Sequence, residues 1–513
     1  MKSAYDYLLD SAELFPGKCA VAYSKRHITY SELVKNVDAL AAGMEKSGIG
    51  EGTVVAMLMR NCVDLVECFY ALWKLGAVAA PLNFRENADG VRLMLKIAKA
   101  EFLICDSARI EELGLADAGI KFIAVDSGYD GPTLDKLKLC GTSHSRPHLS
   151  DDAEMLYVFT SGTTGAPKAT VHTKGSLSEF SLYCFEFGGL YSRDDVFLSY
   201  SPLFHIGGMR ILISCLMCGA TLVLTSTFDP AEIVDIITRE RVTQMLVIPP
   251  SIVLRLKDIA DRASKSLPSI KRIRVSGGLC TEQAVETLLS YFGKATLING
   301  YGSSESAIST FNIINRDEYT EHPGIIKSIG RPLPGCEIQL RDDNGCVIKK
   351  PHVVGEAFGR CGYKFKRYQT LYGVEYPDTW FDTGDRLYFD DDGNYYFAGR
   401  EKDIIKTGGE NVFAGEVEAV IQQMPVVSEC AVFKTPHEIL GEAVSAAIVL
   451  KSGCTCTGKD VVEFCRKNMA SYKKPVKVFF LEQLPKTASG KVRKVELEDM
   501  AAKGALDDRR RLQ

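Results

Sequence analysis

The sequence predicts an α/β protein: a large amino-terminal domain of two α/β sheet subdomains plus a small β subdomain, followed by a small α+β carboxyl-terminal domain. Three observations carry this. Short apolar runs at Thr53–Met59, Val78–Ala80, Phe102–Cys105 and Phe122–Val125 alternate with segments whose apolar residues recur at helical spacing, as strands and helices of parallel βαβ units do. The alternation resumes after a polar interval at 126–152, with strands expected at Leu222–Thr225, Gln244–Ile248, Arg272–Val275 and Thr296–Asn299. Beyond residue 330, Pro-Gly and Asp-Asn-Gly turns separate short strands, as in a small β subdomain. A polar stretch, Gly399–Asp403, then precedes a new α/β pattern, and the domains are expected at 1–400 and 401–513.

In chain order, residues 1–52 read as amphipathic helices with a strand-then-cap at Ile28–Ser31. Asn61 is placed to cap the next helix, with Asp64 three residues on. Leu65, Phe69, Leu72 and Leu75 form that helix's apolar stripe, and Gly76 ends it. The interval 126–152 reads as a variable loop. Asp229-Pro230-Ala231-Glu232 is a helix start: an N-cap, a proline at the first helical position and an acid in the first turn. A helix at Gly458–Met469 carries Val461, Val462 and Cys465 on one face.

Of the 513 residues, 46% are hydrophobic and 25% charged, which is a soluble globular composition. A net charge of −4, with no basic block beyond Arg509–Arg511, speaks against nucleic acid as a partner. The amino terminus lacks a signal-peptide pattern. The longest apolar run, Ile211–Leu224, is broken by Gly219 and too short to span a bilayer, so no integral membrane segment is expected. Sixteen scattered cysteines, mostly in apolar context, suit a reducing cytoplasm, and Cys215-x-x-Cys218 reads as a pair of core thiols.

The chemistry is concentrated in loops. Tyr157–Lys168 reads YVFTSGTTGAPK: an apolar strand opening into hydroxyls, glycines and a lysine. Gly162 and Gly165 allow close backbone approach, Thr160, Ser161, Thr163 and Thr164 add donors, and Lys168 adds charge. A polyphosphate is the matching ligand, although the spacing is not that of the common P-loop. Two further strands end in SGGLC and NGYGSSES, and ligands of open α/β sheets bind at carboxyl ends of strands.

Five motifs occur in order: TSGTTGAPK (160–168), NGYGSSE (299–305), WFDTGD (380–385), GREKDIIKTGGENV (399–412) and PKTASGK (485–491). Together they resemble the adenylate-forming superfamily, most closely its acyl-CoA synthetases, over roughly residues 10–495. The resemblance implies ATP, Mg²⁺ and coenzyme A as cofactors, a carboxylic acid as substrate, and a mobile carboxyl-terminal domain. It further implies that Thr160–Gly165 and Lys168 hold the β- and γ-phosphates, and that Gly277, Gly278, Asn299, Gly300, Gly302 and Ser303 belong to the nucleotide site. Tyr301 would stack on adenine, Ser304 contact the α-phosphate, Asp385 bind ribose, and Arg400 contact ribose or phosphate. Glu305, with Thr163, would place the metal.

Lys491 resembles the lysine that bridges the acyl carboxylate and the α-phosphate, Lys402 the hinge, and Lys406, Gly408 and Gly409 the passage for coenzyme A. Phe204, His205, Met209 and Leu279 would border the acyl pocket, with His205 beside the carboxylate. Leu279 departs from the family, whose members commonly carry a small residue there. Ile206, Gly207, Met209 and Ile211 suggest a mainly apolar wall; Arg210 could reach a second polar group on the substrate or point to solvent, and solvent is expected. The expected activity is an AMP-forming acid–coenzyme A ligase for a medium-sized apolar or aromatic-like acid, with fatty acid metabolism among the fitting roles. The alternatives are an adenylation enzyme that loads a carrier-protein phosphopantetheine, and a nucleotide-binding relative without chemistry. Oligomeric state is left open, a homodimer included.

Overall fold

The computed structural model describes residues 1–115, 119–141, 146–161, 167–186, 190–226, 228–247, 252–263, 267–276, 282–292, 295–400, 403–407, 410–438, 440–486 and 492–506. Among them, three sheets of thirteen, eight and five strands are covered by helices. The eight-stranded sheet has a parallel half, Lys121–Ala124, Phe102–Cys105, Val54–Leu58 and Val78–Pro81. Glu154–Ser161 adds parallel to Val78–Pro81, and Pro167–Thr173, Arg367–Thr370 and Gly373–Glu375 follow antiparallel.

In the thirteen-stranded sheet, Thr296–Gly302, Arg272–Val275, Gln244–Val247, Val196–Ser199, Thr221–Leu224 and Cys19–Tyr23 run parallel. Antiparallel strands continue from Ser309–Ile314 through Ser328–Pro332, Tyr395–Arg400, Phe381–Phe389 and Gly355–Cys361 to Cys336–Arg341. The expected β subdomain is therefore continuous with the second α/β sheet. The five-stranded sheet is built from Ile404–Thr407 onward and has its own apolar core.

Local chemistry explains most element starts. Thr29 caps Tyr30–Lys46 with a reciprocal bond from Glu32, and Asp229 caps Pro230–Glu240 through the amides of Ala231 and Glu232. The expected cap at Asn61 does not form. Cys62 occupies that position, its Sγ accepting from Leu65 N, while Asn61 turns inward. Its amide donates to the carbonyls of Ser201 and Thr225, and its Oδ1 accepts from Leu203 N at 2.9 Å. A buried amide that satisfies three backbone groups, just beyond the strands Val196–Ser199 and Thr221–Leu224, outweighs one exposed cap. The loop expected at 126–152 contains the helix Leu134–Lys138, packed so tightly on Tyr30–Lys46 that a Cβ at Gly43 would lie 2.4 Å from Leu137 O.

Cys215 and Cys218 are buried and reduced, as expected of core thiols. No described helix is long and apolar enough to cross a membrane.

Candidate active site

The strands Glu154–Ser161 and Pro167–Thr173 form a hairpin in which Thr160 faces Lys168 and Ser161 faces Pro167. Gly162, Thr163, Thr164 and Gly165 lie outside the described residues, as do Gly277, Gly278, Leu279, Lys402, Gly408, Gly409 and Lys491; of Ser161 only the backbone is described. Thr160 Oγ1 donates to the carbonyl of Lys168 at 3.5 Å.

Lys168 does not stand alone. Its Nζ lies 2.8 Å from Glu375 Oε2 and 5.2 Å from the ring centre of Tyr368. The same tyrosine donates its hydroxyl to Glu305 Oε1 at 2.9 Å. Tyr368 therefore joins the lysine of the first motif to the carboxylate of the second, one through its ring face and one through its hydroxyl. Burial first, then the charge of Glu305, raises the Tyr368 pKa, so the phenol remains a donor. Glu305 is further held by its backbone carbonyl, which accepts from Phe365 N at 2.9 Å.

A second cluster lies at the other end of the same loop. Thr296–Gly302 runs longer than its apolar core suggests, because the antiparallel partner Ser309–Ile314 pairs it through Gly302. Gly300 is needed for packing: an added Cβ would meet Phe311 at 2.8 Å. Asn299 is committed to the Ser328 carbonyl at 2.9 Å. Tyr301 donates a short hydrogen bond to Asp385 Oδ2, and Arg400 Nε approaches Asp385 Oδ1 at 3.2 Å. Asp385 and Arg400 are directly opposed in the Phe381–Phe389/Tyr395–Arg400 pair. Gly384, at φ +66°, makes the turn that aims Asp385, and Thr383 Oγ1 accepts from Asp385 N. Burial and the Asp385 charge raise the Tyr301 pKa well above the ordinary value.

Between the clusters, the fully buried His172 packs beneath Ser304. Its ring donates to the Ser304 carbonyl and contacts Thr170 Oγ1 at 3.2 Å. Burial, then the nearby Arg210 charge, depresses its pKa to about 3, so it is neutral at physiological pH.

The expected acyl wall begins at His205, which precedes the helix Ile206–Met217 and packs on Phe204 at a ring distance of 4.4 Å. Met209 and Ile211 point into the main core. The exposed side of this helix instead carries Gly207 and the partly exposed Arg210. The expectation that Arg210 points to solvent is corrected: its guanidinium stacks 3.4 Å above the Phe180 ring, where a planar cation gains both packing and cation–π attraction. In the carboxyl-terminal sheet, Lys406 is exposed between buried Ile405 and Thr407, and its amide donates to Glu442 Oε2 at 2.7 Å.

Sequence reasoning missed Tyr368, Glu375 and His172. Each reaches the site by strand pairing, Tyr368 facing Thr170 across the sheet.

Residues 8–368 match the AMP-binding enzyme model, and residues 416–491 match the AMP-binding enzyme C-terminal domain. The chain belongs to the AMP-binding enzyme family. It is 30% identical over 502 residues to an indoleacetate–CoA ligase of Aromatoleum aromaticum, covering 96% of this chain and 97% of that one. A 2-succinylbenzoate–CoA ligase of Bacillus cereus is 27% identical, with 98% and 99% covered. The o-succinylbenzoate CoA synthetase of Bacillus subtilis, solved with its acyl-adenylate intermediate, superposes with a TM-score of 0.82 at 25% identity, covering 97% and 98%. In this AMP-binding enzyme, the residues of four separated motifs (Lys168, Tyr301, Glu305, Asp385 and Arg400) lie on adjoining strands and loops.

Proposed function

We propose that the chain is an ATP-dependent carboxylic acid–coenzyme A ligase that releases AMP and pyrophosphate. The observation that carries this is the pair of linked clusters, Tyr301–Asp385–Arg400 and Glu305–Tyr368–Lys168. They offer a carboxylate for ribose, an aromatic ring for adenine, and a cation with a second carboxylate for metal-bound phosphates, within one loop's length. An ionised carboxylate has about four acceptor sites. Asp385 therefore keeps capacity for ribose hydroxyls while accepting from Tyr301 and Arg400. The relatives named as CoA ligases support the acid and the thiol as the two co-substrates.

In the first half reaction the acid's carboxylate oxygen attacks the α-phosphorus, and the bond to the β-phosphate bridging oxygen breaks, releasing pyrophosphate. Charge crowding is the obstacle, and oriented cations are the remedy. Lys168 exchanges Glu375 for the β- and γ-phosphates, and Lys491 spans the acid and the α-phosphate. In the second half reaction the coenzyme A thiolate attacks the adenylate carbonyl and AMP leaves. The boundary at residues 400/401, rotation about Lys402, and entry of the thiol arm past Lys406, Gly408 and Gly409 belong to this proposal.

Glu305 fits Mg²⁺. Its Oε1 accepts from Tyr368 while Oε2 remains available, and no group of three His, Cys, Asp or Glu among the described residues forms a protein cage. Mg²⁺ takes few carboxylates and shares its shell with phosphate and water. When bound, the ion neutralises phosphate charge. Thr163 is the second group proposed for it. The free cysteines fit work in a reducing cytoplasm.

The test is pyrophosphate release over a panel of carboxylic acids, with and without coenzyme A, with the thioester read directly. Release with formation of acyl-CoA is expected. Transfer only to a carrier-protein phosphopantetheine would favour the carrier-loading alternative.

A further inference from the structure

We propose that Arg210 binds a second carboxylate on the acid, making this enzyme selective for dicarboxylic acids. The inference rests on the acid-activating reading above and concerns the acid's far end.

Arg274 and Arg367 are buried and Arg210 is partly exposed, and the three differ. Arg367 meets Glu154 through two nitrogens, at 2.9 and 2.8 Å. Arg274 stacks on Tyr191 at 4.0 Å and donates to Gln244 Oε1 at 2.6 Å and to the Leu190 carbonyl. Arg210 has the aromatic stack, on Phe180, but no hydrogen bond or ion pair among the described residues. Stacking uses the guanidinium's face and leaves its N–H fork free in the plane, the geometry that takes a carboxylate through two parallel bonds.

Among the described residues, the groups that act most strongly on Arg210 carry no matching charge. Arg210 lies near Cys184, Tyr363, Cys361 and Tyr191, all neutral at physiological pH, and near neutral His172. Glu179, adjacent in sequence to Phe180, interacts with Tyr183. Burial pulls the Arg210 pKa down, which reports the cost of holding a cation there without an anion.

The position faces the site. Gly207 is exposed, and a Cβ there would meet nothing within 4 Å. Arg210 follows three residues later on the helix Ile206–Met217, hence on the same face. It also lies beside His172, whose ring holds the Ser304 carbonyl, one residue from Glu305. Geometry ties Arg210 to the loop of Glu305: the Phe180 ring beneath it packs on Tyr363, and two residues before Tyr363 the Cys361 Sγ donates to the Ser306 carbonyl at 3.0 Å. Phe180 and Tyr363, edge to face at 5.6 Å, make the neighbouring wall aromatic. An acid with an aromatic or short aliphatic body and a second carboxylate matches this lining.

The experiment compares kcat/KM for pyrophosphate release with adipate and with 2-carboxyphenylpropionate, each against its monomethyl ester at the far carboxyl. The wild type, Arg210→Leu and Arg210→Lys are tested. The wild type is expected to favour the free diacid by about 100-fold. Arg210→Leu should erase or reverse that preference while leaving the esters within a few-fold, and Arg210→Lys should retain part of it. A wild type that treats diacid and ester alike, or prefers the ester, overturns the proposal whatever the variants do. So does an unchanged preference in folded Arg210→Leu. Release with monoacids only would remove the role of Arg210 but keep the ligase; release with no acid would remove the ligase reading itself.

Discussion

The nucleotide end and the acid end of the site are built on opposite terms. At the proposed nucleotide end these charged groups, among the described residues, already have partners: Tyr301 and Arg400 on Asp385, Tyr368 on Glu305, Glu375 on Lys168. At the proposed acid end a glycine leaves open space and a guanidinium has no anion among the described residues. The difference teaches what each end has to do. ATP is the same in every turnover, so its contacts are positioned in advance and little reorganisation is needed on binding. The acid is the variable partner, and a face with open volume and one unmatched charge selects among acids.

The largest expected effect tests the link between the two ends. Lys491→Ala should lower adenylate formation by about 1000-fold or more, because the charge at the reacting centre is lost, yet largely spare thioester formation from supplied acyl-adenylate. Equal loss in both half reactions would remove Lys491 from the adenylation step alone. Next, Asp385→Ala should cut kcat/KM for ATP by about 100-fold and by the same factor for every acid. An acid-dependent loss would blur the division between the ends.

Gly207→Leu should act in the opposite sense, lowering kcat/KM for bulky acids about tenfold, on the order of 1.4 kcal/mol, with KM for ATP unchanged. No loss of thermal stability is expected, since a Cβ there meets nothing within 4 Å and leucine favours helix over glycine. If bulky acids were unaffected, the open space would not belong to the acid. A smaller effect is expected from Tyr368→Phe, which removes one hydrogen bond from Glu305 but keeps the ring under Lys168. A rise of a few-fold to about tenfold in KM for Mg·ATP follows from a charge-assisted bond of that kind, with the acid profile unaltered.

The smallest effect is on stability and comes from His172. Its folded pKa of about 3 lies below the ordinary 6.5, so the unfolded chain binds more protons between those values. This contribution is fully present above pH 6.5 and is lost as pH falls toward 3. His172→Gln, which cannot titrate, should flatten the fall of melting temperature between pH 6.5 and 4. An unchanged slope would show that other groups carry it.

Particular residues show how far the sequence could be read. Asp229 as a cap, the strands Phe102–Cys105 and Arg272–Val275, and the helix face of Val461 and Cys465 are local facts, and the fold confirms them. Asn61 looked like a cap because capping is a local preference. Its actual partners, Ser201 and Thr225, are more than a hundred residues away, and nothing near Asn61 announces them. The sequence left Arg210 between the substrate and solvent, with solvent expected, because Phe180, on which it stacks, lies on a different helix. Tyr368 and His172 belong to no recognisable motif and reach the site only because Arg367–Thr370 pairs with Pro167–Thr173.

The sequence by itself determined the α/β class, the order of the motifs and the kinds of side chain available for binding phosphate, ribose and metal. Those depend on periodicity, capping and spacing, which are properties of neighbours along the chain. Only the tertiary structure decided which of those side chains are already paired and that Arg210 stacks on Phe180 with no anion among the described residues. Pairing energies are set by distance and burial, and these are fixed by contacts between residues hundreds of positions apart.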